Sequence, residues 1–153
     1  MLRQLPLSSK GRANSIEDKQ KIIMEIEIFT LCDFAQDNSG KLTVVGTFDG
    51  IHSKQFPFVQ ANFSVACRLR FSEKETGEHH MRLRLIDMDG KEIIQPIQGN
   101  MNIAKPQNGQ YSAINLVFNF AQMKFDKAGR YSFELYIDDD WSSGLPLFIN
   151  KTT

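Results

Sequence analysis

The chain has 153 residues, of which 41% are hydrophobic and 24% are charged, a length and composition typical of one soluble globular domain. Its 18 Lys and Arg balance its 18 Asp and Glu, so the formal net charge is zero and offers no overall attraction to nucleic acid or to an anionic membrane. No run approaches the roughly 18 consecutive apolar residues that a membrane-spanning helix requires.

Residues 1–21 are predicted to form a polar tail, and residues 22–150 the single folded domain. The tail has five basic residues against two acidic ones. Its apolar stretch Leu5-Pro6-Leu7 is too short for the core of a signal peptide, so we expect a cytoplasmic protein. We interpret the tail as a solvated leader; a translation start at Met24 or a contact for an acidic partner are the alternatives.

From Ile22 onward, apolar residues alternate with polar ones, which is the pattern of half-buried strands. Turn formers dominate segments 33–41 and 138–144, which are predicted to be turns, and segments 51–55 and 120–125 are the best helix candidates. About eight strands at this spacing indicate a β-sandwich or barrel. The predicted strands are 22–28, 42–48, 61–71, 79–86, 112–120, 131–137 and 145–149, with short ones near 92–94 and 101–103.

The two cysteines, Cys32 and Cys67, both lie in apolar alternating segments. A free buried thiol is the common state at such positions, and a disulfide scaffold would have more cysteine in a shorter chain. We therefore expect both thiols to be reduced and to pack in the core.

The segment IFTLCDFAQDNSGKLTVVGTFDGI (28–51) resembles the opening of an uncharacterised bacterial domain family. The RLRF strand end (68–71), the LIDMDGKEI hairpin (85–93) and the closing AGRYSFELYIDDDW (128–141) are similar as well, so the resemblance spans the domain. Phe34 departs from it, since many relatives have a smaller residue there. The resemblance implies an immunoglobulin-like antiparallel sandwich and no known activity; the Gly-x-Tyr-x-Phe-x-Leu ending concerns the fold and not the function.

A basic stripe is the first candidate site. If segments 61–71 and 79–86 form a hairpin with Phe71 opposite His79, one outer face gathers four arginines and an imidazole. Like charges directly across strands are destabilising, and a partner bearing a carboxylate, phosphate or sulfate would relieve the repulsion. The alternative is that Glu25, Glu27 or Glu134 neutralises the stripe. The outward pairs in this register are Arg70 with His80, Arg68 with Arg82, and Ala66 with Arg84.

An acidic end is the second candidate, because an up-and-down arrangement would bring together the acids of segments 33–37, 73–75 and 138–140. Such an oxygen-rich rim suits calcium, but no established calcium-loop spacing is present, and we predict no metal. A thiol site built from Cys32, Asp33 and a distant histidine lacks any catalytic motif, so we predict no catalytic residues and no cofactor. Trp141 with Tyr136 and Tyr111 is a candidate aromatic platform for a sugar, although a single Trp at a turn more often packs over a sheet end.

These patterns favour a non-enzymatic binding or assembly module whose partner is an unidentified protein or acidic ligand, with no nucleic acid and no membrane. One alternative is an enzyme or a small-molecule- or carbohydrate-binding domain with its site in loops 49–60 and 95–110. Another is a structural homo-oligomer built through edge-strand pairing or through exposed apolar residues of the 95–110 region. The binding residues predicted from the stripe are Arg68, Arg70, His80, Arg82 and Arg84.

Overall fold

The structure is a computed structural model that describes residues 24–107 and 109–153, and these form nine strands and one short 3-10 turn. The elements are β1 (Glu25–Asn38), β2 (Lys41–Phe48), β3 (Gly50–Ser53), β4 (Phe58–Ser72), the 3-10 turn η1 (Glu73–Glu75), β5 (Gly77–Ile86), β6 (Ile97–Ile103), β7 (Tyr111–Phe125), β8 (Gly129–Ile137) and β9 (Asp140–Lys151). One sheet has four strands in the order β2-β1-β4-β7, and the other has five in the order β3-β9-β8-β5-β6. The predicted all-β sandwich is confirmed.

Several predicted turns are shorter than expected. β1 continues to Asn38, so only Ser39 and Gly40 turn the chain, both with positive φ. Similarly, Asp138 and Asp139 alone connect β8 to β9. Asp33, Asp37 and Asn38 belong to the predicted turn at 33–41 but lie within β1, where all three are exposed.

Three other local predictions need correction. The helix candidates at 51–55 and 120–125 are wrong, because the first contains most of β3 and the second is the end of β7. The short strand predicted near 92–94 is a single bridge between Ile86 and Glu92. The edge strand predicted at 101–103 is confirmed but longer, since β6 begins at Ile97.

The connections are not the up-and-down order that the acidic-end hypothesis assumed. β3 runs parallel to β9, and β4 is joined to β5 by η1, which carries the chain from one sheet to the other. The predicted tail at 1–21 lies outside the described residues. Within 24–107 and 109–153, no helix is long and apolar enough to cross a membrane.

The core between the sheets is rich in phenylalanine. Phe63 stacks on Phe120 and meets the edge of Phe133, so the two sheets interlock through aromatic rings. Tyr131, at the start of β8, is buried, and its hydroxyl donates to the carbonyl oxygen of Lys127 at 2.7 Å. This geometry matches the tyrosine corner of immunoglobulin-like sandwiches.

The β1–β2 hairpin folds back over the outer face of the four-stranded sheet. Asp37 on β1 accepts a hydrogen bond from the Asn115 amide on β7 at 2.7 Å, although β4 lies between these two strands. Beneath the hairpin, Cys32, Ala35 and Ala66 form a second small cluster, separate from the main core. Cys32 is therefore buried as expected, but under the hairpin and not between the sheets.

Candidate functional site

The hairpin assumed for the basic stripe does not exist. β4 pairs with β1 and β7, whereas β5 pairs with β6 and β8 in the other sheet. Phe71 and His79 do lie together, with ring centroids 5.1 Å apart, but they meet across the sandwich interior. Because β4 and β5 belong to different sheets, the predicted stripe is divided: Arg68 and Arg70 lie on the outer face of one sheet, and the residues of β5 on the outer face of the other.

On the four-stranded sheet, Arg68 and Arg70 are neutralised by acids, as the alternative interpretation expected. Arg68 Nε donates to Glu27 Oε1 at 2.8 Å, and its guanidinium also reaches the Asn115 side chain at 2.9 Å. Arg70 is paired with Glu25 and Glu27, and lies 5.0 Å from the Tyr111 ring centroid. Hydrogen bonding to Glu25 raises the pKa of Arg70, with the charge of Glu25 adding to the effect.

On the five-stranded sheet, Arg82 and Arg84 flank one aromatic ring. The guanidinium carbon of Arg82 lies 4.4 Å from the ring centroid of Tyr136, and Arg84 donates to the Tyr136 hydroxyl at 3.2 Å. Arg84 is also bound to Glu92 at 2.7 Å, so its counter-ion is Glu92 and not the Glu134 suggested by the sequence. Hydrogen bonds to Glu92 and Tyr136 raise the pKa of Arg84.

Arg82 has the weakest ion pair of the four arginines. Its nearest carboxylate is that of Asp139, 3.5 Å away and 80% exposed, and among the described residues its buried Nε has no hydrogen-bond partner. Exposed pairs of this kind contribute little stability. Arg82 therefore has unused capacity to donate hydrogen bonds.

Trp141 lies beside this arginine–tyrosine stack, because it is the β9 partner of Tyr136. It is 58% exposed, yet its indole nitrogen donates to Glu134 Oε1 at 2.8 Å, which fixes the ring. Gly144 makes room for this contact: a Cβ at that position would lie 2.6 Å from Glu134 Oε2. Arg130 lies over Phe148 further along the same face, 5.7 Å from the ring centroid.

His80 lies on the same face between two side-chain amides of β6. Its ring nitrogens each lie 3.1 Å from an amide oxygen, one of Asn100 and one of Gln98. These hydrogen bonds raise the pKa of His80, Asn100 having the larger effect. We call the surface formed by Trp141, Tyr136, Arg82, Arg84 and His80 the recognition face.

The recognition face contains three of the five predicted binding residues. Sequence reasoning named Trp141 and Tyr136 only as a sugar platform together with Tyr111, which lies on the other sheet. It missed Glu92, Asn100 and Gln98, because these belong to segments without clear alternation. The alternation of Glu134 and Tyr136 with the core residues of β8 did indicate that these two side chains lie on one outer face.

The other sequence candidates are not assembled as expected. Asp37 binds Asn115 over the four-stranded sheet while Asp138 binds His79, and within the described residues no group of three His, Cys, Asp or Glu side chains could hold a metal ion. β3 and β6, which lie within the segments 49–60 and 95–110, are the two opposite edges of the five-stranded sheet, so those loops do not share a site. The Cys32 and Cys67 thiols are both free and buried.

Comparison with known proteins agrees with the fold and gives no activity. The sequence model described as "Family of unknown function (DUF6941)" matches residues 27–150. No curated protein matches the chain. Among solved structures, β-glucosidase from Listeria innocua, free or in complex with isofagomine, has a TM-score of 0.50 at 5% identity over 87% of this chain, which spans 16% of the enzyme. The C-terminal domain of wzt has a TM-score of 0.47 at 12% identity, covering 87% of this chain and 77% of that one.

Proposed function

Because the chain belongs to the family of unknown function DUF6941, we propose its role from its own surface: it is a non-enzymatic module that binds an acidic protein partner through the recognition face. The partner places an apolar or aromatic group against Trp141 and a carboxylate opposite Arg82. The observation that carries the proposal is the exposure of a tryptophan whose position is fixed by Glu134.

The composition of the face supports a protein partner. Trp, Tyr and Arg are the residues most enriched among those that dominate protein–protein binding energy. Trp141 and Tyr136 are neighbours on adjacent strands and Arg82 stacks on Tyr136, so all three types adjoin one another. Because Glu134 and the two arginines already hold the rings in place, binding costs little side-chain entropy.

Charge complementarity defines the partner's chemistry. Arg68, Arg70 and Arg84 each have a carboxylate within 2.8 Å, whereas the nearest one to Arg82 is 3.5 Å away. A carboxylate from outside can therefore bind Arg82 without displacing a tight internal ion pair. Charge-assisted hydrogen bonds of this type are roughly twice as strong as neutral ones.

The size of the outer face of the five-stranded sheet sets how much of it a stable complex would use. Five strands about 4.8 Å apart, each rising about 3.4 Å per residue over about nine residues, give a sheet face of about 20 by 30 Å. A partner in a stable complex typically contributes about 800 Å² of buried surface. Because this face has a projected area of about 600 Å², a stable complex would use most of the five-stranded sheet and its rim, and not Trp141 alone.

The proposal excludes thiol catalysis on chemical grounds. Burial raises the pKa of the Cys67 thiol to about 12, and burial also raises the pKa of Cys32. A nucleophilic cysteine requires the opposite shift, toward the thiolate at neutral pH. Neither thiol has the electrostatic surroundings of a catalytic group.

The test compares two aromatic residues on opposite faces. Tagged wild-type protein, Trp141→Ala and Tyr111→Ala are used to capture proteins from the source cells, and the captured proteins are quantified by mass spectrometry. We expect at least one protein to be retained by the wild type and by Tyr111→Ala and to be lost from Trp141→Ala. Equal capture by all three, or selective loss with Tyr111→Ala, would contradict the proposal.

A carbohydrate ligand on the same face is the second candidate, favoured by the planar amides Gln98 and Asn100 beside His80 and the aromatic pair. Glycan-array binding that is lost in Trp141→Ala, without any protein lost in the capture experiment, would favour this candidate over the first. A homo-oligomer is distinguished by light scattering of the purified chain.

A further inference from the structure

His79 lies at the end of the sandwich where three elements meet. Its Nδ1 is 2.6 Å from Asp138 Oδ2 in the β8–β9 turn, and its Nε2 is 2.6 Å from the carbonyl oxygen of Glu75 in η1. Both partners are hydrogen-bond acceptors when Asp138 is ionised, and an imidazole can donate from both nitrogens only when it is protonated. The geometry is therefore that of an imidazolium.

Asp138, the carboxylate partner of His79, also fixes the β8–β9 turn. Asp138 Oδ1 accepts a hydrogen bond from the backbone nitrogen of His80 at 2.8 Å, and the Asp138 backbone nitrogen donates to the His80 carbonyl oxygen at 2.7 Å. Asp138 and Asp139 both have positive φ, at 51° and 68°. Non-glycine residues adopt this conformation at a cost and keep it only when surrounding contacts hold them there.

This turn leads directly into the recognition face. Asp139 is the ion-pair partner of Arg82, and Trp141 follows two residues later in β9. Any loss of the His79–Asp138 bond therefore acts on the turn that positions two parts of the face.

We propose that His79 is a pH-sensitive latch for the recognition face: the protonated ring holds the β8–β9 turn, and loss of its proton releases the turn and weakens binding. A neutral ring has one hydrogen for two acceptors, so one of its 2.6 Å contacts becomes a repulsive approach of two lone pairs. The predicted effect on binding rests on the proposed function, whereas the pH-dependent release of the turn can be measured without a partner.

The surroundings of His79 favour the charged form. Burial lowers its pKa, but the hydrogen bonds to Asp138 and to the Glu75 carbonyl, with the negative charges of both residues, outweigh burial and give a net raised pKa. Glu75 is itself held by the backbone nitrogen of Ser72 at 2.9 Å. The residues beside it on β4 and β6 are uncharged: the Phe71 ring lies 5.1 Å from the His79 ring between centroids, and Met101 is the register partner of His79.

Trp141 is the single tryptophan of the chain, so its fluorescence reports on the turn directly. The experiment titrates the purified protein from pH 5 to pH 9 while recording tryptophan emission. We expect a transition with its midpoint above the ordinary histidine value of about 6.5. It should be absent in His79→Gln, which keeps a polar side chain but does not titrate.

Two further variants separate the latch from other titrations. His80→Gln removes the other histidine of β5 and should leave the transition in place. Asp138→Asn keeps the size of the side chain but removes its charge, and should move the midpoint to lower pH; this variant also covers the case in which His79→Gln does not fold. A transition that persists in folded His79→Gln, or that disappears in His80→Gln, would overturn the proposal.

The binding consequence is tested separately. A protein lost from Trp141→Ala in the capture experiment should also be captured several-fold less at pH 8.5 than at pH 6 by wild type, and equally at both by His79→Gln. If no such protein is found while the fluorescence transition behaves as expected, the recognition proposal fails and the latch stands. If capture depends on Trp141 but emission shows no transition, the latch fails alone.

Discussion

At the scale of single residues, the Tyr131 side chain stabilises the connection between β7 and β8 through one hydrogen bond. It is buried, and its hydroxyl satisfies the Lys127 carbonyl. Burial raises the pKa of Tyr131, with the charge of Asp87 adding to the effect. A phenol with these surroundings stays protonated and acts as a donor throughout the neutral range.

Replacing Tyr131 with Phe should destabilise the domain by about 1–2 kcal/mol, because the Lys127 carbonyl loses its donor in a partly buried corner. The free energy of unfolding, measured by urea denaturation, gives the loss. Tyr111→Phe is the matched control, since Tyr111 is exposed on β7 and its substitution should change stability less. An equal loss in both variants would mean that the corner has no special role.

The two thiols should be unreactive in the folded protein. Cys67 is fully buried with a pKa of about 12, and Cys32 is fully buried beneath the β1–β2 hairpin. We expect a thiol reagent at pH 8 to modify neither residue in native protein and both after unfolding. Rapid modification of Cys32 alone would show that the hairpin opens readily.

Alternation along a strand predicted burial well at this scale. Val65, Cys67 and Leu69 are buried between the sheets, while Arg68 and Arg70 face outward, all as the period of two requires. Alternation did not predict the partner of each outward side chain. Glu92 lies in a segment with only a bridge, and its contact with Arg84 depends on how a loop returns to the sheet.

At the scale of elements, the β1–β2 hairpin contains a close approach between Asp33 on β1 and Gly46 on β2. Gly46 has a φ of 71°, and a Cβ there would lie 2.5 Å from Asp33 Oδ2 and 3.0 Å from its Cγ. Gly40, at the hairpin tip, has a φ of 86°, but within the described part of the chain no atom lies within 4 Å of its Cβ position. The two glycines thus share positive φ and differ in crowding.

Gly46→Ala should therefore destabilise the domain more than Gly40→Ala does. Both variants carry the cost of a left-handed conformation, about 1 kcal/mol, and only the first also pushes against Asp33. Urea denaturation of both variants measures the difference. If the two losses are the same, the close approach of Asp33 and Gly46 does not hold the hairpin in place.

The main error of the sequence-based prediction was to pair β4 with β5 as a hairpin. Neighbouring strands pair in about two-thirds of cases, so a hairpin was the natural expectation. Ser72 and Glu75 carried a different signal, because Ser-x-x-Glu is a capping box that starts a helical turn. Glu75 indeed accepts from the Ser72 backbone nitrogen, and the resulting η1 carries the chain to the other sheet.

At the scale of the whole molecule, the His79–Asp138 pair makes stability depend on pH. Burial lowers the pKa of His79, but its hydrogen bonds outweigh burial and raise the pKa overall. The stabilisation of the fold by protonated His79 is therefore complete below about pH 6.5 and is lost as the pH rises through the raised pKa. Burial raises the pKa of Asp138, but bonds to the His80 backbone and to His79 outweigh it and lower the value overall. The stabilisation of the fold by ionised Asp138 is therefore complete above pH 3.8, the ordinary pKa of an aspartate, and is lost as the pH falls through the lowered pKa.

The melting temperature should therefore be highest between about pH 4 and 6.5 and should decline toward pH 9. His79→Gln should show a smaller decline over the alkaline part of this range. His80 titrates in the same direction, because its pKa is also raised, so some decline should remain. A wild-type melting temperature that increases from pH 6 to pH 9 would contradict the assignment of His79 as an imidazolium.

The sandwich itself was predictable because strand periodicity is local, whereas the functional surface was not. Arg68 and Arg82 were expected on one face, and they lie on opposite faces because topology is set by contacts between distant segments. The recognition face combines residues of β5, β8 and β9, and β6 and β7 lie between β5 and β8 in the chain. Its aromatic residues, Trp141 and Tyr136, were expected together with Tyr111; they adjoin because β8 and β9 pair across a two-residue turn, whereas Tyr111 lies on the other sheet.

The central claim is that the molecule binds its partner with the outer face of the five-stranded sheet. A photo-crosslinking amino acid placed at position 141 in the source cells tests it directly, with position 111 on the opposite face as the control. We predict a discrete protein adduct from position 141 and none from position 111. Adducts from position 111 alone, or none from position 141, would contradict the claim.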